Sequence, residues 1–319
     1  AQPPIELLRQ AIDSGGFYDR KKLFFKKVVD VAYIAACSAP GGGRNPITNR
    51  VVRHYHMLWQ PQLAVSSMQR IFTCILGGFL GVTADHFTEN VQDVASKLVN
   101  ATVKLYQGVL QEMLPTPSKS HYTFNLRDLS KVVQGMTQIT KPKLPDCDSL
   151  CRLWAHEAAR VFRDRLINDD DRIKFNKLAS EVLNAEMSIE LEVSDTQLFG
   201  EMLNSDDHIY EEITDMDKLQ DVLIDCLSEY NLEFPTQMHL VFFKDAVSHL
   251  SRISRILRQP RGNALLVGVG GSGRSSLTRL ASHMAGYKVR SIEITRGYGK
   301  NEWYEDLKSL LLTAGANNQ

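Results

Sequence analysis

The run Gly268-Val269-Gly270-Gly271-Ser272-Gly273-Arg274-Ser275 constrains this chain more than any other stretch of it. A loop so rich in glycine serves a backbone that must bend tightly. Here the apolar Ala264-Leu265-Leu266-Val267 precedes it, and a helical pattern from Ser275 to Met284 follows. Strand, glycine loop and helix are the context of the phosphate-binding pattern G-x-x-x-x-G-K-[ST]. The glycines let the main chain wrap around phosphates with its N–H groups turned inward, and the helix N-terminus adds positive potential. Gly268, Gly270, Gly271, Ser272, Gly273, Arg274, Ser275 and Ser276 are therefore candidate nucleotide contacts. Arg274 is expected to face the β- and γ-phosphates, and the Ser275 hydroxyl to hold Mg²⁺. Arginine stands where the pattern has lysine. A wide, planar guanidinium does not occupy the loop as a compact ammonium does. The exchange permits nucleotide binding and weakens the case for fast hydrolysis. The opposing reading is a glycine-rich turn that binds nothing; the strand and helix around the loop favour binding.

The pattern changes along the chain. A short amphipathic helix is expected over Ile5 to Ile12, after Pro3-Pro4 and ended by Gly15-Gly16. Val28 to Cys37 has the apolar, partly β-branched composition of a strand buried on both faces. The loop Pro40-Gly41-Gly42-Gly43-Arg44-Asn45 follows, then a short helical pattern with Arg50 and Arg53. From Leu63 the signals are helical. Leu63 to Leu80 predicts one helix, with Gly77-Gly78 a weak point. Val91, Val94, Leu98, Thr102, Leu105 and Val109 form a second apolar stripe, closed by Pro115 and Pro117. Asn125 is a good N-cap for a helix to about Ile139. Further helices are expected over Asp148 to Ile167 and Asp169 to Met187, the latter with Asp169, Asp170 and Asp171 at its favourable end. The acidic, weakly periodic Ile189 to Asp215 reads as connector. Helices over Asp217 to Tyr230 and Val241 to Leu257 lead to the glycine loop. A second strand, Val289 to Ile294, and a helix, Trp303 to Leu312, then begin a parallel α/β sheet.

Other function classes recede. The 37 basic residues balance 37 acidic ones, so no global field draws the chain to nucleic acid or an anionic membrane. The basic run Arg20-Lys21-Lys22 and Lys26-Lys27 reads as a solvated face. The longest apolar run, Cys74 to Val82, is too short to span a bilayer, and no secretory signal is present. Cys147, Cys151 and His156 hint at metal spacing but lack a second ligand pair, so buried free thiols are expected. Starting at Ala1 and stopping at Gln319 after a helical pattern, the chain reads as a piece of something longer.

Several phrases carry a specific resemblance over essentially the whole length. Ala1-Gln2-Pro3-Pro4-Ile5-Glu6-Leu7-Leu8-Arg9-Gln10, Ala35-Ala36-Cys37-Ser38-Ala39-Pro40-Gly41-Gly42-Gly43-Arg44-Asn45, His121-Tyr122-Thr123-Phe124-Asn125-Leu126-Arg127-Asp128-Leu129 and Leu153-Trp154-Ala155-His156-Glu157-Ala158-Ala159-Arg160-Val161-Phe162-Arg163-Asp164-Arg165-Leu166 resemble, in order, parts of the third AAA+ module of dynein heavy chains. They match the stretch after its Walker B strand, its sensor-1 strand and loop, its sensor-2 helix start and the end of its lid. Arg261 to Arg274 resembles the start of the fourth module. The glycines after Pro40 and the arginine at 274 are closer to the axonemal than to the cytoplasmic heavy chains.

The resemblance implies an α/β fold, an AAA+ P-loop NTPase fragment with parallel-sheet pieces at both ends and an all-helical lid between. It implies an α/β part at 1–62, a lid at 63–195, and a connector with the next P-loop module at 196–319. Arg127 matches the sensor-2 arginine. Arg50 matches the arginine finger, with Arg53 and Arg44 as substitutes, and Ser38 takes the sensor-1 position with a shorter reach than asparagine. The implied ligands are ATP or ADP with Mg²⁺. The implied partners are neighbouring AAA+ modules, the microtubule through parts of the parent outside this chain, and dynein light and intermediate chains. No nucleic acid or membrane partner is implied. The implied setting is the cytoplasm and cytoskeleton, in the axoneme of a cilium or flagellum. The parent would be a microtubule motor ATPase, and this segment by itself is not expected to turn over ATP. The alternatives are another AAA+ remodelling ATPase and a structural module with a degenerate P-loop.

Overall fold

A computed structural model describes residues 3–37, 47–82, 89–194, 197–203 and 209–316. The chain divides into two compact units, 1–63 and 64–319.

In the first unit, helix α1 (Pro3–Asp13) ends at Gly15, whose φ of +64° turns the chain into an antiparallel hairpin of β1 (Gly16–Tyr18) and β2 (Phe25–Lys27). Glycine is required at 16, because a Cβ there would lie 2.2 Å from the Lys26 carbonyl oxygen. Arg20, Lys21 and Lys22 of the basic run form the hairpin turn, and Lys26 and Lys27 lie in β2. Asp19 accepts from the Lys21 and Lys22 amides and pairs with Lys26 at 2.7 Å, which lowers its pKa to about 2. The short helix α2 (Asn49–Val52) is tied back to α1 by Arg53 and His54, both on Asp13 at about 3 Å.

The second unit opens with α3 (Val65–Val82) against α4 (Glu89–Glu112), and α4 also packs on α7 (Asp169–Met187). Gly77 and Gly78 do not break α3, because Leu76 and Leu80 beside them are fully buried. Between α4 and α7 come α5 (Leu126–Met136) and α6 (Cys147–Val161). Asn125 caps α5 in a capping box with Asp128, and Asp146 caps α6 by accepting from the Ser149 amide at 2.8 Å. The turn that carried α6 toward Ile167 in the sequence reading instead ends the helix at Val161 and continues as a 3-10 turn, Arg163–Arg165. One member of the acid cluster at the start of α7 also enters the packing. Asp171 is buried and accepts from the Tyr122 hydroxyl at 2.9 Å and from Lys119 at 2.5 Å.

The core is built around α6, where Leu150, Leu153, Trp154, Ala158 and Phe162 lie almost without exposure against Leu98, Leu105, Leu129 and Phe175. The segment read as connector joins this core. Phe199 in β3 (Phe199–Gly200) and Tyr210 beside β4 (Glu211–Glu212) are fully buried, and the two strands pair antiparallel. A second cluster follows, in which α8 (Met216–Glu233), α9 (Lys244–Arg258) and α10 (Arg274–Met284) bury Leu219, Leu223, Leu250, Ile253, Leu277 and Leu280. Helix α11 (Lys300–Ala316) closes the described chain.

The three expected buried strands differ from the sequence reading. Residues 28–37, 264–267 and 289–294 form no ladder among the described residues, where the only pairings are β1–β2 and β3–β4. Ile34, Leu265, Val267 and Ile294 are 98%, 89%, 86% and 83% exposed. Apolar composition is necessary for a doubly buried strand but not sufficient. Its backbone N–H and C=O groups need neighbouring strands, and its side chains need covering layers.

One buried contact tests how the core is specified. Trp154 donates its indole N–H to Thr102 Oγ1 at 2.8 Å, and Thr102 in turn donates to the Leu98 carbonyl. Thr102→Val keeps the volume and orphans the indole, so denaturant unfolding should show a loss of about 1–3 kcal/mol. An unchanged midpoint would mean that the indole finds another acceptor.

Candidate functional site

The glycine loop has the backbone that phosphate binding requires. Gly271 and Gly273 both sit at φ +77°, a region that side chains rarely adopt. The second of them is the N-cap of α10, and as a glycine it offers no side chain to the amides of that helix's first turn. The loop therefore presents N–H groups at a helix N-terminus, where the macrodipole favours anions. Ser275 is exposed and lies in the first turn, so its hydroxyl is placed to meet a nucleotide-bound Mg²⁺. The donor set fits Mg²⁺, which takes few protein ligands and keeps the rest of its shell as water and phosphate.

Beside the loop is an open cleft of about 390 Å³, lined by Leu266, Arg274, Ser275, Thr278, Arg279, Val289, Arg290 and Ser291. The apolar segments before α10 and after it both reach this cleft, and three guanidinium groups line it. Arg290 is held by the Ser309 hydroxyl at 2.8 Å. Arg274 bends over the loop, and its Nη2 donates to the Val269 carbonyl at 3.2 Å. It thus closes the loop on itself, where the sequence pattern pointed it at phosphate.

Among the other candidates, Arg127 is exposed in the first turn of α5. That turn is anchored by Asp128, which receives Arg165 at 2.9 Å, while Arg165 also lies over the Phe124 ring. Arg50 is exposed on α2, whereas its substitute Arg53 is committed to Asp13. Ser38, Arg44 and the glycine loop at 40–45 lie outside the described residues. Cys147, Cys151 and His156 do not form a metal site. No group of three metal-binding side chains occurs among the described residues, and burial pushes the Cys151 thiol up to about 12.

Sequence reasoning missed the densest polar cluster. Glu157 on α6 is completely buried. Its Oε1 accepts from the Tyr210 hydroxyl at 2.5 Å, and its Oε2 accepts from Arg255 Nε at 3.0 Å and from Arg255 Nη2. Burial is the largest influence and would raise the Glu157 pKa, but the Arg255 charge, the Arg255 and Tyr210 hydrogen bonds and His156 together outweigh it, and the carboxyl is lowered. Around this pair, Arg160 and Arg252 both reach Asp164, at 3.2 and 3.3 Å, and Arg258 pairs with Glu201 while lying over the Tyr210 ring. The one available signal was a Glu set among Leu153, Trp154, Ala155, Ala158 and Ala159 in the middle of a helix. Its partner 98 residues away left no local trace.

Three family models match in sequence order. Residues 1–63 match a P-loop containing dynein motor region, 79–172 a dynein heavy chain ATPase lid domain, and 238–319 a P-loop containing dynein motor region D4. Dynein axonemal heavy chain 6 of Homo sapiens is 47% identical across the whole chain, as is dynein axonemal heavy chain 1 of Mus musculus. Dynein axonemal heavy chain 12 of Homo sapiens is 42% identical across 99% of it. The chain spans 8%, 8% and 11% of the length of these relatives. Among the described residues no helix is long and apolar enough to cross a membrane.

The polar cluster predicts a pH dependence. His156 is 1% exposed and its Nδ1–H donates to the Gln197 carbonyl at 2.8 Å, and burial, with the Arg160 charge, holds its imidazole down at about 3 instead of 6.5. The folded ring stays neutral while the unfolded ring takes a proton near 6.5. Stability is therefore complete above that pH and should fall as pH drops toward 3, by up to ~1.4 kcal/mol per pH unit. Unfolding measured from about pH 7 to about pH 5 should show this slope, and His156→Gln should remove it. An equal slope in the variant would assign it to other groups.

Proposed function

The chain belongs to the dynein heavy-chain family, and from that premise we propose that it is the part of a ciliary motor ring where one AAA+ module ends and the next begins. In this reading 1–62 complete the α/β part of the third module, 63–195 are its lid, and 196–319 are the connector and P-loop start of the fourth. The loop 268–275 binds ATP or ADP with Mg²⁺, and the segment couples nucleotide states of adjacent modules within an ATP-driven microtubule motor of the axoneme. Partners are the neighbouring modules of the same heavy chain, with the microtubule and the light and intermediate chains meeting other parts of it.

The observation that carries this reading is the loop itself: two glycines at φ +77° and a helix N-terminus without a side-chain cap. When bound, Mg²⁺ would offset charge on the phosphates. The chain's own groups would do the rest. Main-chain amides of Gly270 to Ser275 bind the phosphates, Ser275 holds the ion through its hydroxyl, and Ser272 and Ser276 supply further donors. Arg127 reaches the γ-phosphate of its own module. Arg50 stabilises charge on the phosphoryl group transferred at the preceding module, and Ser38 positions a water. One contact favours the rival reading of a loop that binds nothing, namely the Arg274 hydrogen bond to Val269. Nucleotide binding has to break or tolerate that bond.

Two measurements on the full-length heavy chain test this. Arg274→Ala should weaken nucleotide binding at this loop by about tenfold or more, the equivalent of one charge-assisted hydrogen bond at roughly 1.5–3 kcal/mol. Arg274→Lys should keep it. Equal affinity in all three forms would leave Arg274 as a loop latch only. Arg50→Ala should slow hydrolysis at the preceding site by about a thousandfold with little loss of affinity there, and a parallel fall of both would make Arg50 structural.

A further inference from the structure

Helix α10 begins at the nucleotide loop and packs on α9 through Leu277 and Leu280 against Leu250 and Ile253. Helix α9 carries Arg255, whose guanidinium is fastened to Glu157 on α6. Gln259 also accepts from Arg255, at 3.1 Å, in the amide orientation that satisfies both groups. Across from Arg255, the Glu157 carboxylate rests on α5 at Gly135. A Cβ at 135 would lie 1.8 Å from Glu157 Oε2. Helix α5 is the one that carries Arg127 in its first turn. A continuous path therefore runs from the loop at 268–275 through α10, α9, Arg255, Glu157 and Gly135 to the helix of Arg127.

We propose that Glu157, Arg255 and Gly135 form the pin through which nucleotide at the 268–275 loop moves α5, and with it Arg127; all three are positioning residues. The proposal rests on the functional reading above and names the side chains that carry its coupling. Apolar contacts between helices can slide, because each atom pair contributes little and another is nearby. A buried carboxylate cannot leave its guanidinium without exposing two uncompensated charges to a medium that solvates them poorly. The pair makes α6 and α9 move together. The missing side chain at 135 extends the same grip to α5, since the carboxylate sits directly on its backbone. Tyr210 and Gln259 hold the two charged groups in register, and the Arg252–Asp164 bridge limits rotation about the pin.

The test uses the full-length heavy chain and reads coupling, the factor by which saturating the 268–275 loop with a non-hydrolysable ATP analogue changes hydrolysis at the site served by Arg127. Glu157→Met with Arg255→Met replaces the pair by apolar groups of similar length, a change that buried ion pairs often tolerate in stability. Coupling in the double variant should fall about fivefold or more, toward no effect, while analogue affinity at the loop stays within about twofold. Glu157→Gln, which keeps the Tyr210 hydrogen bond and the volume, should lower coupling in the same direction. Gly135→Ala should do so while both charged residues remain, because the new methyl pushes the carboxylate off α5. If the wild type couples the two sites and the double variant couples them equally, the pin is only structural and the proposal fails. If the wild-type loop binds no analogue at all, the functional reading falls first and this inference with it.

Discussion

A carboxylate with no exposure governs how this molecule is put together. Glu157 sits on a helix that is buried on nearly every side, and taking such a charge out of water costs several kcal/mol unless partners replace the solvent. The partners come from far along the chain, Tyr210 from the segment after the lid and Arg255 from the helix that leads to the nucleotide loop. Satisfying one charge therefore decides where two later segments must lie. It also decides what α5 can carry at its crossing point, where only glycine leaves room for the carboxylate. The two apolar clusters fill the space on either side of this seam, but a hydrophobic contact has no direction and would not select it.

The nucleotide loop uses a different means. Helices α5, α6 and α8 begin with Asn125, Asp146 and Asp215, whose side chains take up the first free amides. Helix α10 begins with a glycine that has none to offer. Helices α7 and α9 lack a side-chain cap as well, so the missing cap alone does not mark a binding site. What sets α10 apart is the left-handed backbone of Gly271 and Gly273 directly before it, which turns successive amides toward one side. Conformational freedom at two residues aims the amides, and the side chains of the loop act on the frame that this backbone provides.

Much of this was legible in local sequence. The cap at Asn125, the limits of α7, and the glycine loop between an apolar run and a helix follow from interactions within a few residues. Such interactions act whatever the rest of the chain does. The reading failed where the outcome depended on distant partners. Residues 264–267 and 289–294 have strand composition, yet a strand exists only through its neighbours, and here they line a cleft without a ladder. Residues 189–215 have the acidity of a connector, yet Phe199 and Tyr210 pack to full burial because the surface they meet is already built by α6.

The sequence by itself determined the family, the helical lid and the position of the phosphate loop, because each of these is written in residues a few places apart. Only the tertiary structure decided that Arg274 folds back on Val269, that Arg53 is held by Asp13 while Arg50 stays exposed, and that Glu157 meets Arg255 on Gly135. Charges and close backbone contacts act over a few ångströms of space, and separation along the chain says nothing about which groups the fold will bring within that reach.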